Sequence, residues 1–383
     1  MKPRLFTPGP TEIPQQVVTA MANDMPHLRS DKFRNMFRDV SQKLKAFFKT
    51  KHEVLTLTAS GTGAMEAAVV NLLRQSDKVI IVEGGKFGQI WGEIARTYGL
   101  RVVALEVPWG DSASPDQVKE LLLKHQDAAA VLLTHCETST GAEFDVRAIA
   151  ETVHRESDAI VIVDGISAVG VMPFYKDDWD IDVCVAGSQK GAMIPPGLSF
   201  IAVNERGWQR AQAGNLPRYY FDCLKAREAL ENGDTPFTSA ISLIAGLRES
   251  LGLMLDRGME HHWEKYAKLA RSTRAGAKAI GLDLLAKHPA NSVTAIKVPP
   301  EIDGHKLIDR MRNEYGATVA GGQEHLKGKI FRVAHMGYCD HLDMVAFASV
   351  MELALRDCGW RFELGTAVAA VQTAYADGGK SES

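Results

Sequence analysis

The sequence contains 383 residues, of which 45% are hydrophobic and 24% are charged; these proportions are typical of a globular protein and exclude a mainly disordered chain. The 44 Lys and Arg residues nearly balance the 47 Asp and Glu residues, and this net charge of −3 excludes an extended basic surface for nucleic acid or anionic lipid. No apolar run is long enough to span a membrane, and residues 1–15 lack the apolar core of a signal peptide. Because the cysteines are scattered and form no CxxC pair, we expect reduced thiols, no metal site and a cytoplasmic protein; they are Cys136, Cys184, Cys223, Cys339 and Cys358.

The first half of the chain has the pattern of an α/β protein. Thr7–Thr11 (TPGPT) predicts a stiff, extended segment, and residues 31–50 predict a helix. Seven short apolar runs follow, separated by helical patterns: Val54–Thr58, Val79–Val82, Val102–Val107, Ala129–Leu133, Ile160–Val163, Val183–Ala186 and Phe200–Val203. Near-continuous apolar strands of this kind are typical of a parallel sheet covered by helices on both faces. The sequence therefore predicts a mostly parallel, seven-stranded sheet.

The pattern changes in the C-terminal part. Long helical segments run from residue 239 to about residue 280, and strands then alternate with helices at 303–315 and 340–357; the predicted strands are Ser292–Val298, Ala317–Val319 and Lys329–Ala334. We predict a large domain over 15–255 and a smaller α+β domain over 256–383 that includes the N-terminal arm 1–14. The tail from Thr373 is expected to fray.

Thr58–Ala67 (TASGTGAMEA) joins a predicted strand to an alanine-rich helix through a turn of small residues. Backbone amides at such a helix start, with hydroxyls beside them, are suited to a phosphate dianion. No Gly-Lys-Ser/Thr follows, so the turn is not a Walker A loop. An ordinary strand–helix connection is the alternative.

Two ionisable residues follow later strands of the same region. Asp164 comes at the end of a buried strand, where open α/β sheets bind ligands, although an Asp there could also cap a helix. Lys190 follows the next strand, and lysine is the side chain that forms a Schiff base, although a lysine on a loop is more often exposed surface. A phosphate turn, an acid for a pyridinium nitrogen and a lysine for an aldehyde, in this order, are typical of a pyridoxal-phosphate site.

The chain resembles the class V aminotransferases of fold type I, especially the alanine–glyoxylate and serine–glyoxylate (serine–pyruvate) branch. The resemblance rests on an ordered set of motifs: Thr7–Thr11, Arg29-Ser30, Ser60–Gly63, Phe87-Gly88, Glu137–Gly141, Asp164, Gly187–Lys190, Thr235–Thr238 and Phe331-Arg332. It implies a homodimeric, pyridoxal-phosphate-dependent transaminase. Such an enzyme would move the amino group of serine or alanine to glyoxylate or pyruvate by a ping-pong mechanism.

The resemblance also implies roles for the residues around the cofactor. Lys190 would hold the cofactor covalently and move the proton, and Asp164 would pair with the pyridinium nitrogen. The phosphate would be bound by Ser60, Gly61, Thr62 and Gln189.

Four further roles follow from the resemblance, each with an open alternative. Phe87 would stack on the cofactor ring, unless it packs in the core. Thr138 would contact the hydroxyl side of the ring, unless it is only a turn residue. Thr235 would reach the phosphate of the neighbouring subunit, unless it caps a helix starting near Phe237. Arg332 would bind the substrate carboxylate, unless strand alternation places it on a solvent-exposed face.

Two alternatives of function stay open at the sequence level. The donor could instead be phosphoserine, 2-aminoethylphosphonate or ureidoglycine, and a phosphonate would need a further cation such as Arg29, Arg218 or Lys327. The chain could also be a non-catalytic subunit, because some relatives are labelled as subunits of soluble hydrogenases.

Several other residues are noted in the sequence but are given no role in the site. Asn232 stands where a relative can have a phosphate-binding tyrosine, and Tyr219 and Tyr220 are not assigned. We expect His261 and His262 to lie on an exposed helix surface.

Overall fold

The computed structural model describes residues 2–377 of the chain. The helices of this part are α1 (Gln15–Ala22), α2 (Asp31–Phe47), α3 (Gly61–Leu72), α4 (Lys86–Thr97), α5 (Pro115–Lys124), α6 (Val146–Glu156), α7 (Glu205–Ala213), α8 (Cys223–Glu231), α9 (Ile241–Leu255), α10 (Met259–Ala279), α11 (Gly304–Asn313), α12 (His341–Asp357) and α13 (Thr366–Ala376), with a 3₁₀ helix at Glu324–Leu326. The strands are β1 (Arg4–Leu5), β2 (Val54–Leu57), β3 (Lys78–Glu83), β4 (Arg101–Glu106), β5 (Ala128–Thr134), β6 (Cys136–Glu137), β7 (Ala142–Glu143), β8 (Ile160–Asp164), β9 (Val183–Gly187), β10 (Ser199–Val203), β11 (Val293–Lys297), β12 (Ala317–Thr318), β13 (Ala320–Gly321) and β14 (Ile330–Ala334).

The central sheet has seven strands in the order β2-β10-β9-β8-β5-β3-β4. The strands from β9 to β4 are parallel, whereas β10 runs antiparallel to both β9 and β2. The predicted mostly parallel, seven-stranded sheet is therefore confirmed. β10 reverses direction because residues 188–198, which join it to β9, contain no crossover helix.

Helices cover both faces of the central sheet. The residues of β8, β9 and β10 are all buried, which explains why these strands appear in the sequence as continuous apolar runs. One core contains Phe33 and Phe47 of α2, and the core on the opposite face contains Trp91 of α4 and Trp208 of α7. The carboxyl ends of the parallel strands are left free to carry loops that form a site.

A second sheet, in the order β11-β14-β13, lies in the C-terminal part of the chain. Its core includes Tyr266, Phe331 and Phe347. The N-terminal segment joins this core, because β1 pairs in parallel with β12 and the ring of Phe6 lies 5.4 Å from that of Phe347. The domain limits expected from the sequence, 15–255 and 256–383 with the arm 1–14, remain a prediction.

The C-terminal helix is more regular than expected. Fraying from Thr373 was predicted, but α13 continues to Ala376 because Ala367 and Val371 are buried against other helices. Residues 378–383 of the expected tail lie outside the described residues.

Within residues 2–377, no helix combines the length and apolarity that a membrane crossing requires. The five cysteines are free thiols, and no cluster of three metal-ligating side chains occurs in the same part of the chain.

Candidate active site

The site forms where β8 and β9 end. These strands are adjacent and parallel, with Asp164 opposite Val185, so Asp164 and the turn that carries Lys190 share one edge of the sheet. The Asp164 carboxyl is buried, and burial raises its pKa to about 7. It accepts a hydrogen bond of 2.8 Å from the backbone amide of Ile166.

Lys190 is the buried amine of this site. Its side chain is 8% exposed, and burial lowers its pKa to about 8, while the neighbouring Asp164 acts in the opposite direction. The Nζ atom donates a hydrogen bond to the backbone carbonyl of Pro8. With a pKa of about 8, roughly a tenth of this amine is uncharged at pH 7, far more than for an ordinary lysine, and the uncharged amine is the form that attacks an aldehyde.

The N-terminus of α3 lies beside the Lys190 turn. A Cβ atom placed on Gly187 would be 3.6 Å from the Cα and N atoms of Gly61, and 3.1 Å from Oε1 of Gln189. The flanking Ser60 and Thr62 are exposed, and the Ser60 side chain does not cap its own helix. This end of α3 therefore presents backbone amides and hydroxyls that can bind an anion.

Arg332 lies on β14 and is 6% exposed, so the exposed-face alternative is wrong. Its Nε and Nη2 atoms donate to the Gly321 carbonyl at 3.0 and 2.8 Å, and Nη1 donates to the Thr138 carbonyl at 2.8 Å. A guanidinium has five N–H groups, so one remains on each terminal nitrogen. Burial lowers the Arg332 pKa to about 10, and no carboxylate within residues 2–377 forms an ion pair with it. This arrangement suits an incoming carboxylate.

Thr138 and Phe87 are held next to these groups. The Thr138 hydroxyl lies 2.6 Å from the Ser167 hydroxyl, three residues after Asp164. Phe87 is the second residue of α4, and its side chain is partly exposed, which argues against the core-packing alternative. Its amide donates to Oε2 of Glu137 at 3.1 Å.

Thr235 was predicted to be a site residue, but the contacts described above do not connect it to Lys190. Its hydroxyl donates to the Phe237 carbonyl at 2.8 Å, and the next helix begins only at Ile241, so it does not cap a helix near Phe237. The rings of Tyr219 and Tyr220 lie 5.7 and 5.1 Å from the Phe237 ring, and Tyr219 is 72% exposed.

The N-terminal arm contributes contacts to the site that were not predicted. A Cβ atom on Gly9 would lie 2.6 Å from the Lys190 Nζ atom. The Thr11 amide donates to the Gln189 carbonyl at 3.2 Å, and its hydroxyl donates to the Lys190 carbonyl at 3.3 Å. The motif Thr7–Thr11 predicts an extended segment and is part of the family resemblance, but no residue of it was assigned to the site, since backbone carbonyls carry no sequence signal.

The expectation for His262 was wrong. It is 8% exposed, whereas His261 is exposed as expected. His262 falls on the helical stripe of Met259, Trp263 and Tyr266, which faces the protein interior.

The covered α/β sheet brings together a buried lysine, a buried carboxyl group, a helix N-terminus and an arginine. This combination is typical of an enzyme that acts on amino groups. The chain belongs to the class-V aminotransferase family, whose sequence profile matches residues 4–339. It is therefore a transaminase of fold type I.

Named relatives cover almost the whole chain. A serine–glyoxylate aminotransferase of Methylorubrum extorquens is 34% identical over 96% of this chain and 95% of that protein. A protein named soluble hydrogenase, small subunit, from a Synechococcus strain is 37% identical over 96% of this chain and 97% of its own length. The crystal structure of ureidoglycine–glyoxylate aminotransferase from Bacillus subtilis is 29% identical, has a TM-score of 0.93 and covers 98% of both chains.

Proposed function

We propose that this protein is a pyridoxal-phosphate-dependent aminotransferase that moves the amino group of serine or alanine to glyoxylate or pyruvate by a ping-pong mechanism. The observation that carries the proposal is the buried pair of Asp164 and Lys190, with Arg332 and its two unused N–H groups close enough for its charge to act on Lys190.

The residues present fit pyridoxal phosphate. Oε1 of Gln189 is buried and has no hydrogen-bond partner among the described residues, next to the helix start that would bind the phosphate. The Asp164 carboxyl accepts one hydrogen bond, from Ile166, and could also receive a protonated ring nitrogen. Lys190 offers an amine of lowered pKa to an aldehyde. When bound, the cofactor supplies this aldehyde and an aromatic ring that accepts electron density from the substrate Cα.

The residues of this chain supply the remaining functions. Lys190 can hold a proton in one step and release it in the next, because its pKa of about 8 lies close to neutral pH. The Pro8 carbonyl holds the Nζ atom inside the site when the amine is free. Arg332 orients the α-carboxylate, which amino donors and keto acceptors share, so the same cation serves both half-reactions.

The contacts of Arg29 and Arg218, two of the three cations that could bind a phosphonate, favour a donor with a small, uncharged side chain. Arg29 is paired with Asp234 at 2.5 Å. Arg218 donates to the carbonyls of Val70 and Gly214, at the end of α3 opposite to the predicted phosphate turn. The charge of Arg29 is therefore already compensated and Arg218 lies away from the predicted phosphate turn, whereas Lys327 is exposed on the loop before β14.

The relatives favour glyoxylate as the acceptor, because the Methylorubrum and Bacillus enzymes both carry it in their names. The test is a screen of the purified protein with pyridoxal phosphate. The donors are serine, alanine, ureidoglycine, phosphoserine and 2-aminoethylphosphonate, and the acceptors are glyoxylate and pyruvate. We expect serine or alanine with glyoxylate to have the highest kcat/KM. A faster reaction with phosphoserine, abolished in Lys327→Ala, would instead establish the phosphorylated donor.

A non-catalytic role is the second candidate, because the Synechococcus relative is named as a hydrogenase subunit. Transamination together with the visible absorbance of bound cofactor supports the enzyme. Absence of both from correctly folded protein would support the subunit role.

We further propose a cytoplasmic homodimer in which Thr235 contributes to the phosphate site of the neighbouring subunit. An open cavity of about 940 Å³ lies between α1, α2 and α9, lined by both apolar and charged side chains, and Met25 there is 65% exposed, so a second copy of the chain could pack on this surface. Sedimentation equilibrium tests the dimer. Weakened cofactor binding by Thr235→Val without dissociation of the dimer tests the shared site.

A further inference from the structure

The N-terminus of α4 is capped by residues from a distant loop. The first backbone amides of a helix have no partner within the helix. Here the Phe87 and Gly88 amides donate to Oε2 of Glu137 at 3.1 and 3.0 Å, and the Lys86 amide donates to the Ser139 hydroxyl at 3.0 Å. Glu137 and Ser139 therefore satisfy three consecutive amides, including that of the proposed ring-stacking residue Phe87.

The geometry leaves no space for a conventional cap. The position before α4 is Gly85, which has no side chain, and a Cβ atom there would lie 2.4 Å from Cγ and Cδ of Glu137. Glu137 is 1% exposed, and its Oε1 atom accepts the Ser139 amide at 3.1 Å and the Ser139 hydroxyl at 2.5 Å. Both carboxyl oxygens are thus held by donors, which fixes the side chain in one position.

The same loop also contacts the substrate side of the site. Thr138, between the two capping residues, accepts from Arg332 through its carbonyl and lies 2.6 Å from the Ser167 hydroxyl through its own hydroxyl. Residues 137–139 consequently connect α4, β14 and the turn after β8. A shift of Glu137 would move this short loop and its contacts together.

We propose that Glu137 is a positioning residue, which fixes the Phe87 ring against the cofactor through the α4 amides and fixes Arg332 through the backbone of Thr138. This inference rests on the proposed function, because it assigns Glu137 to the same cofactor and substrate site. Glu137 touches neither cofactor nor substrate in this scheme.

The test compares Glu137→Gln with Asp303→Ala. Asp303 caps α11 outside the site, accepting the His305 and Lys306 amides at 2.9 and 3.2 Å, so it is a matched loss of a helix cap. In the cofactor-free protein, hydrogen–deuterium exchange should accelerate at residues 86–88 in Glu137→Gln and only at the start of α11 in Asp303→Ala. This readout needs neither cofactor nor turnover.

The holoenzyme provides the second readout. Glu137→Gln should weaken pyridoxal-phosphate binding, raise the KM of donor and acceptor, and change the visible circular dichroism of the cofactor, whereas Asp303→Ala should change none of these. We expect a change of about tenfold in the cofactor dissociation constant, as for the loss of a strong helix cap. Ser139→Ala, which removes one capping group and keeps the carboxylate, should give a smaller effect in the same direction.

The outcomes distinguish a failure of the positioning role of Glu137 from a failure of the proposed aminotransferase function. If Glu137→Gln and Ser139→Ala match Asp303→Ala in cofactor affinity, KM and circular dichroism, the positioning role is wrong. If Glu137→Gln does not fold, Ser139→Ala alone decides by the same comparison. If the unmodified protein neither binds pyridoxal phosphate nor transaminates, the proposed function fails, whatever the exchange data show for the cap.

Discussion

Replacement of Arg332 is the perturbation whose effect can be worked out most fully from the structure. Its side chain gives three N–H groups to the Gly321 and Thr138 carbonyls, which leaves two for a substrate carboxylate. Hydrogen bonds to charged groups contribute about 1.5–3 kcal/mol each. Loss of two such bonds corresponds to about 3 kcal/mol at the lower limit, so Arg332→Ala should lower kcat/KM at least about 100-fold.

Two further variants separate recognition from stability. Arg332→Lys keeps a positive charge but not the two-pronged geometry, so it should recover only part of the loss. Arg274 is the matched control, because burial lowers its pKa to about 10 as well, and it donates to Thr294 and Asn291 rather than towards the site. Arg274→Ala should lower the melting temperature and leave kcat/KM nearly unchanged.

The assay follows each half-reaction separately in single turnovers, with serine or alanine as donor and glyoxylate as acceptor. Since every one of these molecules carries an α-carboxylate, Arg332→Ala should slow both half-reactions by similar factors. A loss confined to one half-reaction, or equal losses in Arg332→Ala and Arg274→Ala, would refute the assignment of Arg332 as the shared carboxylate receptor.

Three other predictions concern the cofactor side of the site. Asp164→Asn removes the charge that would favour a protonated ring nitrogen, so it should slow proton abstraction far more than it weakens cofactor binding; an unchanged kcat would exclude Asp164 from the mechanism. The rate of covalent cofactor attachment to the apoprotein should rise with pH and level off above about 8, because burial lowers the Lys190 pKa to about 8 and only the uncharged amine reacts. A midpoint near that of an ordinary lysine, about 10.4, would contradict this environment. Gly9→Ala places a Cβ atom 2.6 Å from the Lys190 Nζ atom, so stopped-flow absorbance should record slower attachment; an unchanged rate would mean that the arm does not constrain the lysine.

The central sheet could be predicted because its strands are buried on both faces and appear in the sequence as apolar runs. The antiparallel direction of β10 could not be predicted in this way, because it depends on how residues 188–198 return to the sheet. Strands as short as Arg4–Leu5 and Ala320–Gly321 contain too few residues to show an alternating pattern.

The candidate site was predictable where chemistry depends on residue type at a strand end, as for Asp164 and Lys190. The contributions of Pro8 and Glu137 depend instead on tertiary approach, since one acts through a backbone carbonyl and the other caps a helix whose Phe87 lies fifty residues earlier in the chain. One sequence signal pointed to the capping of α4 by Glu137. Gly85 stands before a helix with no capping side chain of its own, which requires a cap from elsewhere.

The central claim is that Lys190 binds pyridoxal phosphate covalently, and borohydride reduction followed by peptide mapping tests it most directly. Lys176 provides an internal comparison, because it is also fully buried and burial lowers its pKa. We predict one phosphopyridoxyl group per chain, on the peptide that contains Lys190, and none in Lys190→Ala. A label on Lys176 or any other lysine, or an unchanged yield of label in Lys190→Ala, would contradict the account.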